Sequence, residues 1–323
     1  MSFWSGKKVL VTGGGGFLGH HVVDALKKTE VSQIIVPRKS QYDLTDIVQV
    51  KKLFKDYPCD VLIHLAGHVG GLGKNAQEPA TFFYKNIMIN TLVIEEARLA
   101  GVQKIVTTGA GCGYPETAPL PLKETDFWNG FPQLESSPYS LAKRMLDVQA
   151  YAYWTQYQLP IIVLLPGNIY GPFDNFDLEG AHVAPALVRK FVEAVDRKQD
   201  TVVVWGNGQP TRDFVYAGDV AEGIVSAGNN LDRPSLINLA SGYETSILEM
   251  VTALTTITGF TGKISWDSDR VSGQSRRYFD ISRAKELLGY EPRTSLYDGL
   301  KQTVEWYRLN KRTARNVFDQ PNL

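Results

Sequence analysis

The chain has 323 residues, and 34 Lys and Arg balance 34 Asp and Glu, so its formal net charge is zero. A chain of this length can bury a large core, and without long basic or acidic runs it is a poor candidate for binding nucleic acid or anionic membranes. Two cysteines, an N-terminus without an apolar leader and the lack of any long apolar run predict a soluble cytoplasmic protein without disulfides or membrane spans.

Short apolar runs alternate with amphipathic stretches through the first half of the chain. This alternation is typical of parallel strands joined by helices and predicts a doubly wound α/β sheet. We expect a Rossmann dinucleotide-binding domain over residues 1–170, completed by a later segment near 213–241. The predicted strands are 7–12, 33–36, 61–65, 104–108 and 161–165, and the predicted helices include 20–28, 86–99 and 138–157.

After residue 170 the pattern changes to loops rich in Gly, Pro, Asn and Asp. A helix near 185–197, a strand at 201–205 and a C-terminal helix near 296–310 stand out between these loops. We interpret residues 171–323 as mainly a smaller α/β lobe that binds substrate.

A glycine-rich segment joins the first strand to the first helix. In such a loop the glycines allow a tight turn, a close approach of a pyrophosphate and close packing of the helix, and the helix N-terminus favours phosphate. A plain structural turn is the alternative. The residues expected to contact a dinucleotide are Gly13, Gly16, Phe17, Leu18 and Gly19.

The residues after the second strand bear on the choice of dinucleotide. An acidic residue there would bind the ribose of NAD, whereas this chain has Arg38 and Lys39, which favour the 2′-phosphate of NADP(H). The alternative is that both are solvated loop cations. Asp43 is placed either to contact the adenine or to cap the helix that follows.

Tyr139 and Lys143 are four residues apart and lie on one face of a predicted helix. A nearby ammonium group and nicotinamide charge are expected to lower the pKa of the phenol well below about 10, so that it exchanges a proton near neutral pH. A Tyr-x-x-x-Lys spacing is common in helices by itself. After a glycine loop it indicates a catalytic pair.

With these motifs in place the chain resembles the extended short-chain dehydrogenase/reductases that act on nucleotide sugars, and within them the GDP-L-fucose synthases. The narrower motifs that carry the resemblance are Val69-Gly70-Gly71, Cys112-x-Tyr-Pro, Asp174-Asn-Phe and His182-Val-x-Pro-Ala-Leu. The resemblance implies NADP-dependent 3,5-epimerisation and 4-reduction of GDP-4-keto-6-deoxy-D-mannose. It also implies a homodimer formed by helices 86–99 and 138–157, cofactor contacts from Ala66 and Asn168, and no metal.

The resemblance further implies that Cys112 and His182 are the acid and base of epimerisation. Protons next to a ketone are acidic, and a thiol and an imidazole titrate near enough to neutrality to move them. The alternative makes Cys112 a small buried hydrophobic residue and His182 a helix N-cap. His68 is a further candidate for a titrating group, whereas Cys59 and His64 are expected to be structural.

Ala110 stands where the family has Ser or Thr. A hydroxyl there would stabilise the oxygen on which charge develops, and losing one such donor costs about a hundredfold to a thousandfold in rate. Thr108 is a possible substitute. This departure keeps open a related enzyme that only epimerises, or that only reduces another 4-keto sugar nucleotide. A non-catalytic dinucleotide sensor is the alternative from another class.

Four side chains of the second half are candidates for contacts with a GDP-sugar. A guanidinium or ammonium group suits phosphate oxygens, and an aromatic ring can lie against a base or sugar. The alternative reading is that they are surface cations and a core aromatic. These candidates are Lys190, Trp205, Arg212 and Arg276.

Overall fold

The computed structural model describes residues 2–178, 180–268 and 275–311. Its strands are β1 (Lys8–Thr12), β2 (Gln33–Ile35), β3 (Val61–His64), β4 (Lys104–Thr108), β5 (Ile161–Pro166), β6 (Asn168–Tyr170), β7 (Thr201–Trp205), β8 (Thr211–Arg212), β9 (Phe214–Tyr216), β10 (Ser235–Leu239), β11 (Thr245–Ser246) and β12 (Lys263–Asp267). Its helices are α1 (Phe17–Leu26), α2 (Ile47–Asp56), α3 (Leu72–Gln77), α4 (Pro79–Leu99), α5 (Ser137–Tyr157), α6 (Val183–Asp196), α7 (Ala217–Asn230), α8 (Ile247–Thr258), α9 (Ser282–Leu288) and α10 (Leu296–Asn310).

Six strands form the central sheet in the order β10-β5-β4-β3-β1-β2, and every pairing in it is parallel. The strand order reverses beside β1, as it does in doubly wound folds. The predicted α/β class is therefore confirmed. The carboxyl ends of the parallel strands meet at one edge, where ligands bind in this architecture.

Both faces of this sheet are buried, which explains why its strands are almost continuously apolar. In β1, Leu10 packs into one core cluster together with residues of α2, α4 and α5. Its neighbours Val9 and Val11 point the other way, into a second cluster built with α1 and α7. Helices thus cover the sheet on both sides.

The smaller lobe has a core of its own. Residues of α6, α8 and α10 pack around Phe176, Phe191 and Tyr307, all fully buried. Two two-stranded ladders lie wholly in this half of the chain, β7 with β12 and β8 with β11, and a third pairs β6, at the boundary, with β9. Strand β10 lies far along the chain but pairs with β5 in the main sheet. The division into domains at residue 170 remains a prediction.

Candidate active site

The glycine loop has the geometry that close approach requires. Gly13 has φ +72°, a conformation that favours glycine, and a Cβ there would lie 2.8 Å from the backbone nitrogen of Ala66. Gly19 faces the loop so closely that a Cβ would lie 2.6 Å from the Cα of Gly14. Gly16 occupies the N-cap of α1 without a side chain to block its free N–H groups. Phe17 and Leu18 form the first turn of that helix.

Arg38 extends over this loop. Its Cζ atom would be 3.1 Å from a Cβ at Gly15, so the guanidinium lies directly against the loop backbone. Lys39 is exposed beside it. Asp43 accepts hydrogen bonds from the N–H and hydroxyl of Thr45, whereas the side chain that caps α2 is that of Asp46. The expectation that Asp43 could cap the helix is therefore wrong, because the helix begins one turn later.

The structure brings Lys143 to the end of the sheet. It is almost fully buried, and its Nζ atom donates to the carbonyl of Thr108 at 3.0 Å. A Cβ at Gly67, the residue after Ala66, would lie 3.5 Å from the same atom. Burial lowers the pKa of Lys143 to about 8. The segment after β3 and helix α5 therefore meet at this amine.

Tyr139 lies one turn earlier on α5, next to Cys112. Burial raises the pKa of its phenol, and interaction with Cys112 raises it further. The expected fall of this pKa relies on the Lys143 ammonium and a nicotinamide charge. In the protein alone the pKa rises instead, because burial disfavours the charged phenolate and Cys112 adds to this effect. A phenol in this environment keeps its proton and is suited to donate it to a substrate oxygen.

Cys112 is presented by a 3₁₀ turn, Gly111–Gly113, that follows β4. The thiol is partly accessible and lies close enough to both Tyr139 and Lys143 to interact with them electrostatically. Ala110 precedes the turn in an extended conformation and is largely buried. The side chain expected to handle carbon acid chemistry therefore adjoins the predicted Tyr-Lys pair.

His182 stands at the N-cap of α6, but its side chain makes no capping hydrogen bond. The residue as a whole is exposed, while desolvation by the surrounding protein lowers the pKa of its imidazole. The carbonyl of the preceding residue, Ala181, approaches within 3.9 Å of a Cβ placed on Gly71. The His182 segment is thus in contact with the Val-Gly-Gly loop.

The Val-Gly-Gly loop packs on Phe82, whose ring lies near that of Tyr139. A Cβ at Gly70 would lie 3.1 Å from Phe82 Cζ, and the Phe82 ring is 6.3 Å from that of Tyr139. His68 lies 4.5 Å from the same Phe82 ring between centroids, with a buried Nε2 that has no hydrogen-bond partner. His64, in contrast, is fully buried and bonds to Thr12, and burial lowers its pKa to about 3. Cys59 is partly buried, and its pKa is raised to about 12.

The four predicted substrate contacts lie in different environments. Lys190 donates to the carbonyl of Val203 at 2.9 Å and stands 5.0 Å from the ring of Trp205, which is exposed. Arg212 is partly buried, and burial together with the nearby Arg277 lowers its pKa. Arg276 forms a surface ion pair with Glu244. Asn168 begins β6 and donates its N–H to the carbonyl of Asp213.

Sequence reasoning missed Arg277. Its Nη2 donates to the carbonyl of Gly111 at 2.5 Å, and the side chain interacts electrostatically with Cys112 and Tyr114. Burial lowers its pKa. Arg276 and Arg277 are consecutive in the sequence, and no pattern there distinguishes the surface cation from the one in the site.

Comparisons with known proteins agree with this fold. The sequence profile of the NAD dependent epimerase/dehydratase family matches residues 9–240. A putative GDP-L-fucose synthase 2 from Arabidopsis thaliana is 36% identical over 303 residues, which cover 94% of this chain and 92% of the relative. No helix within the described ranges has the length and apolar character needed to cross a membrane.

Two solved structures are also similar. The crystal structure of a GDP-L-fucose synthetase from Naegleria fowleri bound to NADP superimposes with a TM-score of 0.91 at 28% identity, covering 98% of this chain and 97% of the other. A GDP-6-OMe-4-keto-L-xylo-heptose reductase from C. jejuni gives a TM-score of 0.88 at 28% identity, with 96% and 99% covered. Since the family profile spans well over half of its residues, the chain belongs to the NAD dependent epimerase/dehydratase family.

Proposed function

We propose that this protein is an NADP-dependent nucleotide-sugar 3,5-epimerase/4-reductase that converts GDP-4-keto-6-deoxy-D-mannose to GDP-L-fucose in the cytoplasm. The observation that carries the proposal is that two sets of chemical groups lie close enough to interact electrostatically. Tyr139 and Lys143, which suit hydride chemistry at a carbonyl, adjoin Cys112, which suits proton transfer at carbon. The similarity to GDP-L-fucose synthases over more than nine tenths of the chain supports the same reading.

The residues present fit a bound NADP(H). Gly16 leaves the N-terminus of α1 open for a pyrophosphate, Gly19 lets the helix pack closely on the loop, and Ala66 lies against Gly13. Arg38, with Lys39 next to it, offers cations to a 2′-phosphate, and a forked guanidinium suits that group. Asp43 and Asn168 complete the set of proposed cofactor contacts. When bound, NADPH supplies the hydride that reduces C4 of the sugar.

In the reduction, Tyr139 donates its proton to the C4 oxygen. Burial keeps the phenol protonated until the oxygen gains charge, so the proton is available when it is needed. Lys143, one turn further along α5, is fixed by its bond to the Thr108 carbonyl, and we assign its ammonium to stabilising the phenolate that proton donation leaves.

In the epimerisation, Cys112 and His182 remove and return protons at the two carbons that flank the keto group. Inversion needs one group to take the proton from one face and another to return a proton on the opposite face. The two residues lie on different elements, the turn after β4 and the N-cap of α6.

We assign the GDP moiety to the cations of the smaller lobe. Arg212 is partly buried in β8, and its forked guanidinium suits the oxygens of a diphosphate. Trp205, exposed and flanked by Lys190, offers a surface for the base or sugar. Arg276 would reach the nucleotide only by exchanging its partner Glu244 for a phosphate.

A second candidate is an enzyme that epimerises without reducing. The specific observation in its favour is Ala110, whose side chain cannot donate a hydrogen bond to the C4 oxygen. Proton removal next to the ketone also develops charge on this oxygen, as an enolate, so the missing donor slows both half-reactions, and this candidate requires the reduction to lose more.

We also propose a homodimer formed by α4 and α5. These two helices pack against each other and expose large apolar side chains. An apolar surface of this kind on paired helices is suited to forming a four-helix bundle with a second copy. Light scattering should give twice the monomer mass, and Tyr151→Glu should shift it to the monomer. The exposed side chains are Phe83, Tyr84, Leu99, Val148, Tyr151 and Tyr157.

The proposed function is tested by incubating the protein with GDP-4-keto-6-deoxy-D-mannose and either NADPH or NADH. We expect oxidation of NADPH in preference to NADH, with GDP-L-fucose as the product identified by nuclear magnetic resonance. A Tyr139→Phe variant is the matched control and should leave the cofactor reduced. No loss of NADPH and no change in the sugar would refute the proposal.

A further inference from the structure

Two arginine side chains grip the turn that presents Cys112. The carbonyl before the cysteine, that of Gly111, accepts a hydrogen bond from Arg277 Nη2 at 2.5 Å. The carbonyl after it, that of Gly113, accepts one from Arg144 Nε at 2.5 Å. The two donors come from segments more than a hundred residues apart in the sequence, so the turn is held by tertiary contacts on both sides of the thiol.

Arg144 connects the turn to the catalytic helix. It follows Lys143 in α5, is almost fully buried, and also donates from Nη1 to the carbonyl of Gly130 at 2.9 Å. Its guanidinium lies 5.2 Å from the ring centroids of both Phe127 and Trp128, within the range of a cation–π interaction. With four restraining contacts, Arg144 fixes the position of the Gly113 carbonyl relative to the helix that carries Tyr139 and Lys143.

Arg277, in the segment before α9, binds the other side of the turn that presents Cys112. Phe279, two residues later, packs so closely on Gly111 that a Cβ there would lie 2.6 Å from its Cζ atom. The phenylalanine therefore presses on the same residue whose carbonyl Arg277 binds. Arg277 also lies near enough to Cys112 to interact with it electrostatically.

Both arginines are costly to bury. Among the described residues neither has a carboxylate within ion-pair distance, and each keeps one buried nitrogen without a partner, Nη2 of Arg144 and Nε of Arg277. Removing a charge from water without an opposite charge is unfavourable, and such costs are concentrated at functional sites. Both guanidinium groups donate hydrogen bonds to backbone carbonyls that flank Cys112.

We propose that Arg144 and Arg277 form a clamp that positions the Cys112 thiol for proton transfer at the substrate carbon. They are positioning residues and act through the Gly111 and Gly113 carbonyls. This inference rests on the proposed function, in which Cys112 is one of the two epimerising groups. It adds that the epimerase half of the reaction depends on the clamp more than the reductase half does.

The test compares two half-reactions in the full-length protein. Deuterium uptake from heavy water into GDP-4-keto-6-deoxy-D-mannose reports the carbon acid chemistry of Cys112 and His182. Initial formation of NADPH from GDP-L-fucose and NADP⁺ reports hydride transfer by Tyr139 and Lys143, and it needs no proton removed from carbon. Both assays are run over a range of substrate concentrations to separate kcat from KM.

The variants are Arg144→Lys and Arg277→Lys, which keep the charge but lose the forked donor. We expect kcat for deuterium uptake to fall about tenfold to a hundredfold, since a misplacement of about 1 Å can cost that much, with less than about a threefold change in hydride transfer. Arg308→Lys is the matched control: Arg308 also donates to a backbone carbonyl, that of Thr258 at 3.2 Å, but in the smaller lobe. This control should change neither rate.

Other outcomes overturn the clamp. Equal losses in both half-reactions, in proportion to the folded fraction measured by thermal unfolding, would reduce the arginines to structural residues. A raised KM for the nucleotide sugar in both assays, with kcat unchanged, would make them substrate-binding residues. If only one variant folds, the ratio of its deuterium-uptake rate to its hydride-transfer rate tests the clamp.

Amide hydrogen exchange tests the clamp independently of the proposed function. The N–H groups of Gly113 and Tyr114 bond within the turn, to the carbonyls of Ala110 and Gly111. Either clamp variant should speed exchange in the peptide that holds this turn several-fold, whereas Arg308→Lys should not. Unchanged exchange would overturn the clamp. If the variants exchange faster but the unchanged protein turns over no keto-sugar, the proposed function is refuted while the clamp is supported.

Discussion

Asp174 should make the stability of this protein fall as the pH rises from 5 to 7. It lies in the loop between β6 and α6 that ends at His182, and it is 4% exposed. One carboxyl oxygen accepts the N–H of Asn175 at 2.7 Å, and the other is buried without a partner. Burial raises the pKa of this carboxyl from 3.8 to about 8.

The direction and size of the effect follow from that shift. Between about pH 4 and pH 8 the folded protein holds a proton on Asp174 that the unfolded chain has released. Each unit of rising pH therefore lowers the free energy of unfolding by about 1.4 kcal/mol, or about 3 kcal/mol from pH 5 to pH 7. Asn cannot ionise and is close in size, so Asp174→Asn should remove this dependence.

The assay is urea unfolding of both proteins at pH 5 and pH 7. From pH 5 to pH 7, the unfolding free energy of the parent should fall by about 3 kcal/mol more than that of Asp174→Asn. Asp177→Asn, which alters an exposed residue of the same loop, is the matched control and should retain the parent's dependence. The same pH dependence in parent and Asp174→Asn would refute the reasoning from burial.

Three further predictions concern the site. Arg38→Met should weaken NADPH binding about tenfold to a hundredfold and leave NADH binding nearly unchanged, because a charge-assisted hydrogen bond contributes about 1.5–3 kcal/mol; fluorescence titration measures both, and equal losses would argue against a 2′-phosphate contact. Since the pKa of Lys143 is lowered to about 8, the rate of hydride transfer should decline above that pH as the ammonium loses its proton, and a single-turnover profile that stays flat to pH 9.5 would contradict the role of its charge. Ala110→Ser, at an extended backbone position that accepts serine, should raise the single-turnover rate of C4 reduction by up to about a hundredfold, whereas an unchanged rate would show that another group already donates to the C4 oxygen.

The backbone architecture follows largely from the sequence. The predicted strand at 104–108 and the predicted C-terminal helix at 296–310 coincide with β4 and α10 at both ends. These elements are long enough, or apolar enough, for periodicity to define them. Strands of two or three residues such as β8 and β9 have no such signal, because they are specified by pairing with distant segments.

Side-chain assignments were harder to predict, for a physical reason. Asp43 and Asp46 are both plausible caps in sequence, and only the position at which α2 begins selects Asp46. The order Arg276-Arg277 likewise does not show which guanidinium faces the turn of Cys112. The direction of the Tyr139 pKa depends on how much water the fold excludes around the ring, which no local pattern encodes.

The most direct test of the central claim compares the deuterons incorporated into the sugar with the NADPH oxidised in the same reaction. The protein is incubated with GDP-4-keto-6-deoxy-D-mannose and NADPH in heavy water. The mass of the product is measured by mass spectrometry, and the loss of NADPH is followed by absorbance. If Cys112 and His182 epimerise the sugar that Tyr139 and Lys143 reduce, each product molecule should carry two solvent deuterons for every NADPH oxidised. NADPH oxidation with no deuterium incorporated, or exchange with no oxidation, would contradict a site that performs both reactions.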